Sequence, residues 1–161
     1  MNRPALIALA TLGLTACGQG GGDTAPSTPP PPAPTPEEKA AILATLPAPY
    51  NAADLDNGRR VFARCRSCHT ITDGGPNMTG PNLYGVFGRQ IGAQPDYNYS
   101  TAAKQADFVW DGERLDDWLE NPRTFLKGTK MSFAGIPDAE DRRDVIAFLK
   151  VETGYAPPVQ P

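Results

Sequence analysis

Cys65-Arg66-Ser67-Cys68-His69 is the one stretch of this sequence that specifies a chemistry by residue type and spacing. Two cysteines three apart on a helical turn can reach the two vinyl groups of one haem, and the adjacent histidine then lies against the iron as an axial ligand. Other readings of a Cys-x-x-Cys pair stay open at this point. A redox dithiol belongs in a βαβ setting, which the sequence does not offer. A zinc site would lack a fourth good ligand, because the third cysteine, Cys17, lies far off in the N-terminal segment. A chance match is the third alternative, although the chain spends its only histidine at this position. One His and three Cys also exclude a site of several imidazoles and any four-thiolate centre.

A haem iron held by His69 needs a second axial ligand, and without a second histidine the natural donor is methionine. The chain has three. Met1 opens the N-terminal segment, Met78 lies nine residues after His69 in a loop, and Met131 is far away in Lys127-Gly-Thr-Lys-Met131. A methionine is more often a core gap-filler, but the loop setting of Met131 favours ligation from the opposite haem face. With both axial positions filled, the iron has no vacancy for oxygen or substrate. Electron transfer is then the simplest use, with no enzymatic activity and no small-molecule substrate.

The elements that must position these residues fit one domain plus a tail. The chain has 161 residues, a formal net charge of −3, 18 Pro and 16 Gly. With 20% charged residues and no basic excess, it is not a general nucleic-acid binder. Asp54 or Asp56 can cap a helix through Arg66, with Gly58, Phe62 and Cys65 on one face. Ser100–Ala106 and Asp111–Glu120 also read as helical, the second ended by Asn121-Pro122. Asp138 can cap a last helix to about Glu152, with Gly154 as terminator. Strand signals are weak and Gly-Pro and Gly-Gly pairs mark loops. The expected fold class is all-α, small, with long loops and no internal repeat.

Residues 1–16 read as an export signal, with Arg3 before the apolar run Ala5–Leu14, too short to span a bilayer. Leu14-Thr15-Ala16-Cys17 resembles the lipobox of bacterial lipoproteins, which implies cleavage before Cys17, its lipidation, and a membrane anchor. Residues 17–49 form a Gly/Pro-rich tether containing a short helix at 37–46. The run from Pro26 to Pro36 would extend roughly 34 Å as polyproline II. The folded domain is placed at 50–155, followed by a tail at 156–161.

The domain resembles a class I cytochrome c of the mitochondrial and bacterial kind. The resemblance runs from Gly58 to Lys150 and rests on the Cys65–His69 motif, Gly80-Pro81-Asn82-Leu83, Gly88-Arg89, Trp110, Leu119-Glu-Asn-Pro122, Gly128-Thr-Lys-Met131, Phe133-Ala-Gly135 and Asp144–Lys150. It implies one haem c, covalent through Cys65 and Cys68, with His69 and Met131 on the iron. By the same resemblance Pro81 supplies a backbone carbonyl to the histidine, which fixes its orientation and raises its basicity. Arg89, Tyr99 and Trp110 would contact the haem propionates. Thr129 joins the haem-contacting positions, and Gly58 and Phe62 meet Phe148 where the first and last helices cross. The sequence departs from the mitochondrial pattern at Ala103, an asparagine site, at Lys127, a proline site, and at Trp118. There a tyrosine usually donates toward the methionine sulfur, and an indole N–H has a different geometry.

Charge is unevenly placed. Residues 57–72 carry Arg59, Arg60, Arg64 and Arg66 without an acid, and residues 121–137 carry Arg123, Lys127 and Lys130 without an acid. Elsewhere in 50–155 there are 6 basic and 15 acidic residues. This predicts a basic haem edge that steers toward acidic docking faces. The resemblance implies a monomeric carrier on the periplasmic side of a bacterial membrane, moving electrons from a quinol-oxidising cytochrome complex to a terminal oxidase. A fixed electron-entry subunit of one enzyme complex is the alternative, and a peroxidatic or ligand-binding haem protein is a second.

Overall fold

The computed structural model describes residues 34–155. The expected signal at 1–16, Cys17, most of the tether and the tail at 156–161 lie outside the described residues. Among the described residues six helices form: α1 (Pro36–Thr45), α2 (Leu55–Phe62), α3 (Thr101–Gln105), α4 (Gly112–Glu120), α5 (Pro122–Phe125) and α6 (Ala139–Glu152). A single 3₁₀ turn, Tyr50–Ala52, joins α1 to α2. Among the described residues the one β contact is an isolated antiparallel bridge between Gln90 and Val109. The architecture is all-α, as the sequence predicts.

Side-chain caps set most helix starts. Asp54 accepts from the backbone N–H of Asp56 and Asn57, Ser100 from Ala103, Asp111 from Arg114, and Asp138 from Glu140 and Asp141. Each satisfies amides that have no partner inside the helix. Two boundaries differ from expectation. Helix α2 stops at Phe62 instead of Arg66, because i→i+3 bonds take over at Ala63, Arg64 and Cys65 and tighten the chain into turns that continue through Cys68. Asn121-Pro122 both ends α4 and starts α5: Asn121 caps the new helix through Thr124 N–H, and Pro122 sits in its first turn.

Helices α2 and α6 form the main packing pair. A Cβ on Gly58 would stand 2.2 Å from the Asp144 carbonyl oxygen and 2.7 Å from Phe148 Cβ, so only glycine allows this backbone approach. One turn on, the Phe62 and Phe148 rings meet at 5.5 Å. Val61, Leu115, Leu119, Ile136, Val145, Ile146 and Leu149 complete the buried core around them. Polar ties lock the same helices. The buried Asp144 carboxylate accepts from Asp54 N–H at 3.1 Å and Asn57 Nδ2 at 2.9 Å. Arg142 donates to Asp116 and to the carbonyls of Ile136 and Pro137, each at 2.9 Å, joining α6 to α4 and to the loop between α5 and α6.

The expected domain start at residue 50 falls short of where packing begins. Leu46 is 3% exposed and packs with Ala53, Ala147 and Val151 in a second small core. Lys39 pairs with Glu152 at 2.5 Å. Residues 35–49 are therefore a folded arm against α6 and not part of a loose tether. The reciprocal cap of Thr35 and Glu38 starts α1 locally, and the large apolar residue that leaves the helix, Leu46, finds its partners on α6.

Candidate functional site

Cys65, Cys68 and His69 stand on consecutive turns after α2, where the Cys68 and His69 amides both donate to the Cys65 carbonyl at 2.9 and 3.0 Å. Both cysteines are half-buried, and no disulfide joins them. Burial pushes the Cys65 thiol up to about 11, which disfavours the thiolate that exchange chemistry needs. Among the described residues no cluster of three or more His, Cys, Asp or Glu could hold a metal ion.

The His69 imidazole is tied down from the far side. Its Nδ1 lies 2.7 Å from the Pro81 carbonyl oxygen, to which it donates, so Nε2 carries the free lone pair. Burial lowers the imidazole pKa, while the Pro81 carbonyl acts in the opposite sense. Gly80 packs flat on the ring, and a Cβ there would stand 2.3 Å from Cε1. Asn82 builds this loop. Its Nδ2 donates to the carbonyls of Thr72 and Gly75 at 2.9 and 2.7 Å, its own N–H is taken by Asn77, and its Oδ1 accepts from Tyr84 N–H. The sequence motif contains Asn82, but reading it as a ring of loop bonds needs the fold. A buried Asn among Gly and Pro is the signal that could have found it.

The remaining predicted residues fall into two groups. Arg89 donates to the carbonyls of Asn82 and Tyr84 and lies within electrostatic reach of Tyr99, whose hydroxyl burial pushes upward. A guanidinium has five N–H donors, so these two bonds leave others available. Trp110 and Trp118 share an aromatic cluster with Phe108 and Phe125, the two indoles meeting at 5.6 Å. Met131 enters from a separate element, the loop after α5, where its N–H donates to Thr129 Oγ1 at 3.2 Å. Lys130 anchors that loop on the Asn98 carbonyl and the Tyr97 ring. Met131 is half-buried whereas Met78 is 47% exposed.

The donor set fits a covalently held haem. Two cysteine thiols one turn apart and an adjacent imidazole whose Nδ1 is engaged by the Pro81 carbonyl, leaving Nε2 free, are what such a group requires. The family model described as cytochrome c matches residues 55–151. This chain belongs to the cytochrome c family. The cytochrome is 41% identical over 105 residues to cytochrome c of Kluyveromyces lactis, an alignment covering 65% of this chain and 96% of that one. It is 48% identical over 98 residues to cytochrome c of Euglena viridis, covering 60% and 95%. Among solved structures it resembles cytochrome cH from Methylobacterium extorquens, with TM-score 0.57 and 38% identity over 61% of this chain and 98% of that one. The fold is that of a small class I cytochrome c, and the family carries one haem c covalently through the two cysteines that here are Cys65 and Cys68.

The uneven charge of this cytochrome is partly consumed by ion pairs. Arg59 meets Asp56 at 3.0 Å, Arg60 meets Asp54 at 3.9 Å and Arg64 meets Asp141 at 3.7 Å. Arg66, Arg123 and Lys127 are exposed and pair with no carboxylate among the described residues. The window 57–72 thus acquires acids in space, from the start of α2 and from α6, whereas the cations of 121–137 gain no carboxylate partner among the described residues.

Proposed function

We propose that this cytochrome c is a membrane-anchored periplasmic carrier that moves single electrons from a quinol-oxidising cytochrome complex to a terminal oxidase. Electron carriage is the common property of its family. Haem c, when bound, supplies one reversible electron at its iron. His69 would hold that iron through Nε2, and Pro81 fixes the ring and keeps Nδ1 protonated. Met131 is the proposed second ligand. The observation that supports it is the contrast between the half-buried Met131, braced by Thr129 and Lys130, and the solvent-facing Met78. Arg89 and Tyr99 would offset buried propionate charge, and Trp110 and Trp118 exclude water from that side. By the family resemblance Trp118 stands where a tyrosine usually donates toward the methionine sulfur, and its indole N–H would take that role.

The reduced protein should fail to bind carbon monoxide at neutral pH, and Met131→Ala should bind it. Binding by the unaltered protein would overturn Met131 ligation and favour a ligand-binding haem protein. The anchor rests on Leu14-Thr15-Ala16-Cys17. Intact mass of the membrane-extracted protein should show loss of sixteen residues, one haem, and acyl chains on Cys17. A mass without the acyl increment would leave an unanchored carrier. A tether raises the carrier's effective concentration at its partners. Stable co-purification with catalytic subunits would instead favour a fixed electron-entry subunit.

A further inference from the structure

His69 and the proposed ligand Met131 are set by two distant loops, the first through the Pro81 carbonyl and the second through Thr129. One short segment, Pro95-Asp96-Tyr97-Asn98, touches both loops. The Asn77 side-chain amide donates to the Pro95 carbonyl at 2.8 Å, and the Tyr97 hydroxyl donates to the Thr79 carbonyl at 2.6 Å. From the other side, the Lys130 ammonium donates to the Asn98 carbonyl and lies 4.3 Å from the centroid of the Tyr97 ring. Tyr97 is common to both attachments. Its hydroxyl holds the residue before Gly80, and its ring face receives the residue before Met131.

The segment is itself braced. Asp96 has φ 56°, the only positive value at a non-glycine among the described residues, a conformation that persists where the surroundings hold it. Lys104 donates to Asn98 Oδ1 at 3.2 Å, and the Tyr99 ring meets Tyr97 edge-on at 4.7 Å. A single hydrogen bond and a single cation–π contact near the surface each stabilise little. Their placement gives them a larger role. For the loop bearing Met131 to swing out, Lys130 must leave both the Asn98 carbonyl and the Tyr97 ring. For Tyr97 to follow that movement, its hydroxyl must release Thr79, two residues before the carbonyl that orients His69. The two loops therefore share one brace, and loosening it on one side weakens its hold on the other.

We propose that Tyr97 is a positioning residue that couples the two ligand loops, its hydroxyl on Thr79 steadying the ring against which Lys130 holds Met131 in place. This rests on the Met131 ligation proposed above. The test titrates the ferric, haem-loaded, full-length protein with imidazole, which competes with Met131 for the iron. Tyr97→Phe keeps the ring and removes only the hydroxyl, and it should bind imidazole roughly two- to tenfold more tightly, the factor that one net hydrogen bond supplies. In a Lys130→Leu background the same change should have no effect, because the brace no longer bears on the Met131 loop. The His69 Nδ1 proton resonance of the reduced protein should shift in Tyr97→Phe. Leu46→Ala, which loosens the fold at α6, should leave imidazole affinity unchanged. An affinity in Tyr97→Phe equal to that of the unaltered protein would overturn the coupling, as would a gain that persists without Lys130, a gain matched by Leu46→Ala, or an unmoved His69 resonance. Met131→Ala separates this from the ligation reading. It should bind imidazole more tightly than any Tyr97 variant; if it binds no more tightly than the unaltered protein, Met131 is not the ligand and the coupling falls with it.

Discussion

His69 is poised by two opposed influences, burial that disfavours its charged form and the Pro81 carbonyl that favours it. The ring has no slack, because Gly80 lies against it. Gly80→Ala should push the imidazole off the Pro81 carbonyl, since overpacking by one methyl costs about 1–3 kcal/mol. The expected outcome is a lower yield of haem-loaded protein and a shifted reduction potential, read by the visible spectrum and redox titration; an unchanged potential would show that the ring orientation is set elsewhere. Lys150 makes a separate prediction. Burial lowers its ammonium from the ordinary 10.5 to about 8, so between pH 8 and 10.5 the unfolded chain keeps a proton that the folded one has released. Stability contributed by this residue thus rises with pH in that window. Tyr50, pushed up to about 12 from 10 by burial and by neighbouring acids, works the other way only above pH 10. Urea titrations at pH 7.5 and 9.5 should therefore show the wild type gaining roughly 1 kcal/mol on Lys150→Met. Equal pH dependence of the two proteins would count against a buried charged lysine.

Among the elements, the arm formed by α1 and the 3₁₀ turn lies before the part of the chain that matches the family, which begins at residue 55. Its apolar anchor is Leu46, and Leu46→Ala should cost about 2–3 kcal/mol, within the range for truncating a buried leucine. Thermal unfolding of the haem-loaded protein measures this; a loss below about 0.5 kcal/mol would mean that the arm is not part of the cooperative fold. Ile42 and Leu43, four and three residues before Leu46, give it a short apolar stripe in the sequence, but the pattern does not say what that stripe packs against. Its burial depends on Ala147 and Val151, a hundred residues away in the chain. Helix starts were legible because a cap is a local event: Asp54, Ser100, Asp111 and Asp138 each bond within three residues of themselves. The attachment motif was legible for the same reason. The early end of α2 and the four-residue α5 were not, since turns of this size follow how the chain must bend around the core.

In the two cation-rich stretches, the pairing of Arg59, Arg60 and Arg64 leaves Arg66, Arg123 and Lys127 exposed with no partner among the described residues, and Lys130 held only by neutral groups. Exposed ion pairs stabilise little, but they reduce the local field that a docking face would feel. Charge reversal of Arg66, Arg123 and Lys127 to glutamate should slow electron transfer to the proposed oxidase partner at low salt and converge with wild type as ionic strength rises. Reversal of Arg59 and Arg60 should have the smaller effect, and identical salt slopes for the two sets would refute this division. The arm carries a further, mechanical meaning. Tension arriving from the N-terminal side of the chain enters the domain through α1 and is handed to α6 at Leu46 and at the Lys39–Glu152 pair. It loads the α1–α6 seam, while the loop that bears Met131 hangs from α5 and the Asn98 carbonyl, outside that load path. If the proposed anchor put the N-terminal segment under tension, the arm would peel from α6 before the loop bearing Met131 was disturbed.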